Sequence, residues 1–225
     1  MANSIPELIQ QNIKIFQKKN IIFEEKEKIN YEELYFFSRE VSSQLLRMNL
    51  KKGDKICVCM NKSIDQILVI LGCLFSNFVF VPILPFLKKD SINYIIKNSG
   101  AKLIITDKSR NLEIEKKYSK KLLLFENKVF KANSKFKETF NNKSITRNKN
   151  FDIKGNDTAA IIYSSGSTGM PKGIVIPHIN FVKGAEIVAN YLGTKSSDKI
   201  LGVLSFNFDY GLNQLWQTLL LGCSL

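Results

Sequence analysis

The chain has 225 residues, 44% of them apolar, and a formal net charge of +13. That length and apolar content suit one large domain or two small ones, and they exclude a low-complexity chain. The charge does not indicate a nucleic-acid partner: residues 107–150 hold thirteen Lys/Arg against five Asp/Glu, in one Asn/Lys-rich stretch with few aromatics to stack on bases.

In chain order, M-A-N-S-I-P-E lacks the basic flank and apolar core of a signal peptide. Ser4 caps a first helix, with Pro6 in its first turn and Glu7 at its third position. Leu8, Ile9, Ile13 and Phe16 recur at helical spacing along it. Ile21–Phe23 and Lys28–Asn30 flank a charged turn and predict a small hairpin. Asn30 with Glu33 predicts a capping box, and Leu34, Phe37, Val41, Leu45 and Met48 give the next helix its apolar face. A turn at Lys52-Gly53-Asp54 leads to a strand over Lys55–Met60.

Ser63 and Gln66 cap a helix running to about Ser76, and Phe78–Pro82 is a strand. Ile67–Leu87 carries no charge and is long enough to span a bilayer. Ser76-Asn77 interrupts it, Pro82 and Pro85 close it, and its second half is strand-like, so a buried helix, a turn and a buried strand are expected instead. A short helix over Ser91–Asn98 stops at Gly100, and strands follow at Leu103–Thr106 and Leu122–Phe125. Strands alternating with helices predict an α/β fold, a mostly parallel βαβ sheet with helices on its faces.

The four cysteines, Cys57, Cys59, Cys73 and Cys223, form no C-x-x-C pair, and His178 is the sole histidine. No metal site is expected; reduced, buried cysteines in a cytoplasmic protein are. Cys57 and Cys59 alternate within a strand and share one face.

Ile161–Gly173 reads I-I-Y-S-S-G-S-T-G-M-P-K-G, with an apolar run before it and the β-branched Ile174, Val175 and Ile176 after it. That is strand, loop, strand. Hydroxyls and exposed N–H groups donate to anionic oxygens, glycines let the backbone approach a ligand, and a lysine adds a point charge. A loop that wraps a polyphosphate is the direct reading, against an ordinary Ser/Gly-rich turn. It is not a Walker loop: Pro171 and Gly173 stand where that pattern needs Gly and Ser/Thr, and a strand follows in place of a helix.

After the loop, Pro177-His178 leads to a helix from about Asn180 to Leu192. His178 at such a junction reads as structural, with no carboxylate partner evident nearby. Lys199–Leu204 predicts a strand, S-F-N-F-D-Y-G follows, and a helix runs from about Leu212 to Leu221. Asp209 has two readings of equal standing, a helix N-cap or a contact to a cationic substrate group.

All ten positions from Ser164 to Gly173 fit the signature loop of the adenylate-forming superfamily, which the chain resembles. That group includes acyl-CoA synthetases, peptide-synthetase adenylation domains and luciferase-like ligases. I-N-Y-E-E-L with L-K-K-G-D-K-I-C-V, and F-S-N-F-V-F-V-P-I with Asn77 in place of a usual glycine, are similar to its earlier patterns. The resemblance implies that Ser164, Ser165, Gly166, Ser167, Thr168, Gly169 and Lys172 hold the phosphates of ATP, with Mg²⁺ arriving on the ATP. A carboxylic acid would be activated as an acyl-adenylate and passed to the thiol of CoA or of a carrier-protein pantetheine.

Phe208, Asp209, Tyr210 and Gly211 would form part of the acid pocket. Phe208-Asp209 is similar to the F-D-x-S of amino-acid activators, in which the aspartate pairs with the substrate amine, but Gly211 stands where the serine would be. Tyr210-Gly211 resembles the acyl-CoA synthetase version. The expected division is a first βα half at 1–106, a basic connector at 107–155, and a phosphate-loop segment with the start of the substrate pocket at 156–225. The family's later Y-G-x-T-E and T-G-D segments, hinge and small domain with its lysine do not follow. A fragment of a longer enzyme, catalytically incomplete alone, is therefore expected. The alternatives are a non-catalytic ATP- or adenylate-binding module, half of a split enzyme, or an unrelated nucleotide binder with a convergent loop.

Overall fold

The helix starts marked by Ser4, Asn30 and Ser63 form where those caps place them. The structure, a computed structural model, describes residues 2–107, 115–131, 152–164 and 170–225. In α1 (Ile5–Phe16) Ser4 Oγ accepts from the Glu7 N–H at 3.3 Å. The hairpin of β1 (Asn20–Glu24) and β2 (Glu27–Asn30) follows. α2 (Tyr31–Leu46) has the full capping box: Glu33 N–H donates to Asn30 at 2.8 Å, and Asn30 N–H to the Glu33 carboxylate at 3.0 Å. α3 (Ile64–Phe75) has half of one, because the Gln66 amide turns inward and donates to the Met60 carbonyl at 3.3 Å. Every residue of α3 from Gln66 to Phe75 is buried in the protein core, which accounts for the uncharged run. Among the described residues no helix is long and apolar enough to cross a membrane.

The main sheet contains β3 (Lys55–Cys59), β4 (Val79–Pro82), β5 (Leu103–Thr106), β6 (Leu122–Glu126), β7 (Val129–Lys131), β8 (Thr158–Ser164) and β9 (Lys172–Pro177), in the order β7-β6-β5-β3-β4-β8-β9. The five strands from β6 to β8 are parallel, and β7 and β9 are antiparallel additions at the two edges. This is the expected mostly parallel α/β sheet. Within the basic stretch, β6 and β7 make a hairpin on the sheet edge; its two-residue turn holds Asn127 and Lys128 at φ 52° and 61°.

Alternate residues face opposite sides. Ile56, Val58, Leu103 and Ile105 face the core shared with α1, α2 and α3; Cys57, Cys59 and Ile104 face Ile92, Ile95 and Ile96 of α4 (Lys89–Ser99). Burial on both faces is why these strands are almost continuously apolar. All four cysteines are buried and free. α3 crosses from β3 to β4 on one face, and α4 returns from β4 to β5 on the other. Opposite directions on opposite faces give both crossovers the same hand. Their loops diverge at the carboxyl ends of β3 and β4, opening the crevice where doubly wound sheets take ligands.

α5 (His178–Leu192) and α6 (Asp209–Leu221) pair over the β4 side of the sheet. Phe181 of α5 stacks on Phe80 of β4 at 6.0 Å between ring centroids and leans on Trp216 of α6 at 5.0 Å.

The strand expected over Lys199–Leu204 does not form. One parallel bridge joins Lys199 to Ser224, while Leu201 and Val203 are 81% and 73% exposed. Extended propensity without a neighbouring strand leaves extended chain, because strand stability comes from the ladder and cross-strand packing. Ile200 N–H donates to Ser224 O at 2.7 Å, Leu225 N–H to Ile21 O at 2.7 Å, and Phe23 N–H to Leu225 O at 2.8 Å. Residues 224–225 therefore lie between β1 and residues 198–200, and these segments with β2 begin a second sheet beside the first.

Candidate phosphate and acid site

The β8–β9 hairpin carries the signature loop. Its register pairs Ser164 with Lys172, the two residues that flank it. Both are exposed, and the Lys172 side chain has no carboxylate partner among the described residues. Ser165, Gly166, Ser167, Thr168 and Gly169 lie outside the described residues. Gly173, the last residue of the motif, has a packing reason to be glycine: a Cβ there would lie 2.8 Å from Ile161 Cγ2 and 3.1 Å from the ring of Tyr163, its cross-strand partner. Tyr163 in turn donates to Asn98 of α4 at 2.5 Å, tying the end of β8 to the helix on the α4 face of the sheet.

The other end of the hairpin is fixed by Asp157. Its carboxylate accepts from Lys52 Nζ at 2.8 Å, the Lys154 N–H at 2.8 Å and Asn77 Nδ2 at 2.9 Å. Asn77 also donates to the Asp152 carbonyl at 2.8 Å, and its φ of 53° explains why a glycine is usual at this position in the family pattern. Desolvation opposes the charge on Asp157, but the bonds from Lys52, Lys154 and Asn77 outweigh it and hold the pKa down to about 2. Such a depressed pKa stabilises the fold above the unfolded value and loses that contribution as pH falls through the folded one. Asp157→Ala is expected to cost about 1 kcal/mol at pH 7, roughly 3 °C in Tm, and progressively less as pH falls from about 4 towards 2. Melting curves of both proteins from pH 7 to pH 2 measure the difference.

His178 opens α5 and is fully buried; neither ring nitrogen has a hydrogen-bond partner among the described residues. Burial drives its pKa down to about 4, against the pull of the Asp157 charge. A neutral, enclosed imidazole is the structural histidine expected, and it has no access to a reacting atom.

The residues expected in the acid pocket occupy the start of α6. Phe208 is the N-cap residue and Asp209 is the first helical residue, three positions earlier than the expected start at Leu212. The N-cap reading of Asp209 is thereby corrected: no side chain caps this helix. Asp209 is exposed, and the partial desolvation of its carboxyl raises its pKa above the usual carboxylate value. Phe208 is 46% and Tyr210 80% exposed. Gly211 is forced by close backbone approach, since a Cβ there would lie 2.1 Å from the Ser205 carbonyl oxygen.

Both sets of residues belong to one edge of the sheet. The loop leaves the carboxyl end of β8. Lys62, three residues past the carboxyl end of β3, donates to the Gly202 and Leu204 carbonyls of the segment that leads into α6. β3 and β8 are two strand spacings apart, about 10 Å. No local pattern singles out Lys62, whose partners are 140 and 142 residues away. Among the described residues no cluster of His, Cys, Asp or Glu could hold a metal ion.

The AMP-binding enzyme family matches residues 9–225. Tyrocidine synthase 1 of Brevibacillus parabrevis is 28% identical over 225 residues, which is 100% of this chain and 20% of that protein. Bacitracin synthase 1 of Bacillus licheniformis is 30% identical over 201 residues, 88% of this chain and 4% of that protein. Among solved structures, a long-chain-fatty-acid-CoA ligase (FadD1) from Archaeoglobus fulgidus superposes with a TM-score of 0.83 at 22% identity, over 98% of this chain and 46% of that one. The NpsA N-terminal subdomain of Klebsiella oxytoca gives 0.80 at 22% identity, over 99% of this chain and 54% of that one. The chain thus spans a fifth or less of these two synthases and about half of these solved chains. With the family matching from Ile9 to Leu225, the chain belongs to the AMP-binding enzymes.

Proposed function

We propose that this chain supplies the ATP-handling part of a ligase that activates a carboxylic acid as an acyl-adenylate and transfers it to a thiol. The observation that carries the reading is the β8–β9 register, which sets Ser164, at the carboxyl end of the parallel strand β8, opposite Lys172. Hydroxyls of Ser164, Ser165, Ser167 and Thr168 and the N–H groups of Gly166 and Gly169 donate to phosphate oxygens, and Lys172 offsets their charge. Mg²⁺ would arrive with the nucleotide and supply further charge neutralisation for its phosphates.

In the first step a carboxylate oxygen attacks the α-phosphorus and the bond to pyrophosphate breaks. In the second a thiolate sulfur attacks the acyl carbon and AMP leaves. Fixed donors aimed at the phosphate charge lower the first barrier. The thiol belongs to CoA or to a carrier-protein pantetheine, and the setting is cytoplasmic.

Phe208, Asp209, Tyr210 and Gly211 line the acid side. An Asp209 carboxyl that caps no helix and stays exposed in the first turn of α6 is free to meet a substrate ammonium, as in the F-D-x-S of amino-acid activators, so an amino acid is the substrate class put forward. Two assays test the reading: calorimetric titration of the 225-residue chain with Mg·ATP, and ATP–pyrophosphate exchange by the intact enzyme across amino, aryl and fatty acids. Binding together with amino-acid-dependent exchange supports it. Binding without exchange for any acid leaves a non-catalytic module, and absence of binding contradicts it.

A further inference from the structure

We propose that Lys62 is a positioning residue that clamps the segment leading to the acid pocket onto the carboxyl edge of the main sheet. The inference rests on the functional reading above only for what residues 206–211 bind, not for the clamp itself.

The base of Lys62 is rigid. Asn61 N–H donates to Asp107 at 2.7 Å, just past β5, and Ser63 caps α3. From there the ammonium reaches two carbonyls on one side of the segment, Gly202 and Leu204, the latter at 2.7 Å. It also lies 4.7 Å from the centre of the buried Phe206 ring. Two carbonyl dipoles and an aromatic face are the contacts that accommodate this partly desolvated cation, and no carboxylate pairs with it among the described residues. Gly202 is matched to it, since a Cβ there would lie 2.9 Å from Lys62 Nζ.

The segment needs such a clamp. Residues 199–204 have one bridge, at Lys199, and no ladder beyond it, and Leu201, Val203 and Leu204 are exposed. Past the Ile200–Ser224 bond, the chain up to the first turn of α6 is tied to the main sheet by Lys62 and by burial of Phe206 and Asn207, while its other bonds, from Val203 N–H to Leu201 and from Asn207 and Phe208 N–H to Ser205, are local. Lys62 sits at the β3 side of the crevice and Lys172 at the β8 side, so the two lysines divide the work: one fixes the acid wall, the other faces phosphate.

Hydrogen–deuterium exchange of the full chain tests this with Lys62→Met and Lys62→Arg. In Lys62→Met the amides of residues 201–208 are expected to exchange at least tenfold faster, with β3 and α3 unchanged. The affinity for Mg·ATP stays within twofold. Lys62→Arg, which keeps the charge and the donors, restores protection. Unchanged exchange at 201–208, equal loosening of β3 and α3, or failure of Lys62→Arg to restore protection each overturns the clamp. A wild-type chain that binds no Mg·ATP overturns the functional reading instead, while the exchange pattern still decides the role of Lys62.

Discussion

Replacing Lys172 with alanine and Thr168 with valine together is expected to lower the affinity of the chain for Mg·ATP at least tenfold. In the intact enzyme the same pair is expected to cut ATP–pyrophosphate exchange at least as far. Each charge-assisted hydrogen bond to an ionised oxygen contributes about 1.5–3 kcal/mol, so two lost contacts exceed the tenfold threshold. Lys172 is exposed and pairs with no carboxylate among the described residues, so the fold gives up little when its side chain is removed. Tm should therefore stay within about 2 °C of wild type. Unchanged affinity with unchanged Tm would remove the loop from nucleotide binding. Calorimetry with Mg·ATP, alongside thermal melting of the same preparations, separates the two effects.

Gly211→Ala has the largest expected effect on the fold. The new Cβ would meet the Ser205 carbonyl oxygen at 2.1 Å, its carbon at 2.7 Å and the Leu204 oxygen at 3.0 Å. All three are backbone atoms, so no rotamer change relieves the clash. Either the 204–206 turn or the first turn of α6 must move, at a cost of about 2–4 kcal/mol. Tm is expected to fall by roughly 5–10 °C. Gly211→Ser carries the same Cβ and should fall equally far, which gives a steric reason for the departure from F-D-x-S. Tyr210→Ala, one residue away and 80% exposed, should change stability by less than about 0.5 kcal/mol. If Gly211→Ser melts like wild type, the close approach does not constrain this site.

The parts of the fold written in the sequence are those set by local chemistry. Ser4, Asn30 and Ser63 announce three helices because a cap acts on N–H groups two or three residues away. Gly100 ends α4 in the left-handed conformation that glycine adopts freely. Cys57, Val58 and Cys59 alternate between two cores because strand side chains do.

The features that local sequence does not encode depend on partners distant in sequence or on weak turn signals. Lys199–Leu204 has strand composition, but its ladder ends at the single bridge to Ser224. The β6–β7 hairpin turns through Asn127-Lys128, a weaker signal than Asn-Gly.

The candidate site divides the same way. The proposed phosphate loop is a contiguous signal, because its donors, glycines and cation stand close together along the chain. The β8–β9 register then adds that Ser164 stands opposite Lys172. Asp209 was ambiguous because a one-residue shift separates a capping residue from a helical one, and the structure places it inside the helix. Asp157 drew no notice, since its partners Lys52 and Asn77 come from turns more than 75 residues earlier. Lys62 was invisible for the same reason.

The central claim is that Ser164–Gly173 binds the phosphates of ATP. Nuclear magnetic resonance of the ¹⁵N-labelled chain titrated with Mg·ATP tests it most directly. The predicted result is that the amides of Gly166, Gly169 and Gly173 shift, while those of Gly53 and Gly100, in turns away from the carboxyl edge, do not. Loop amides that stay unmoved up to millimolar Mg·ATP, or shifts no larger there than at Gly53 and Gly100, would contradict it.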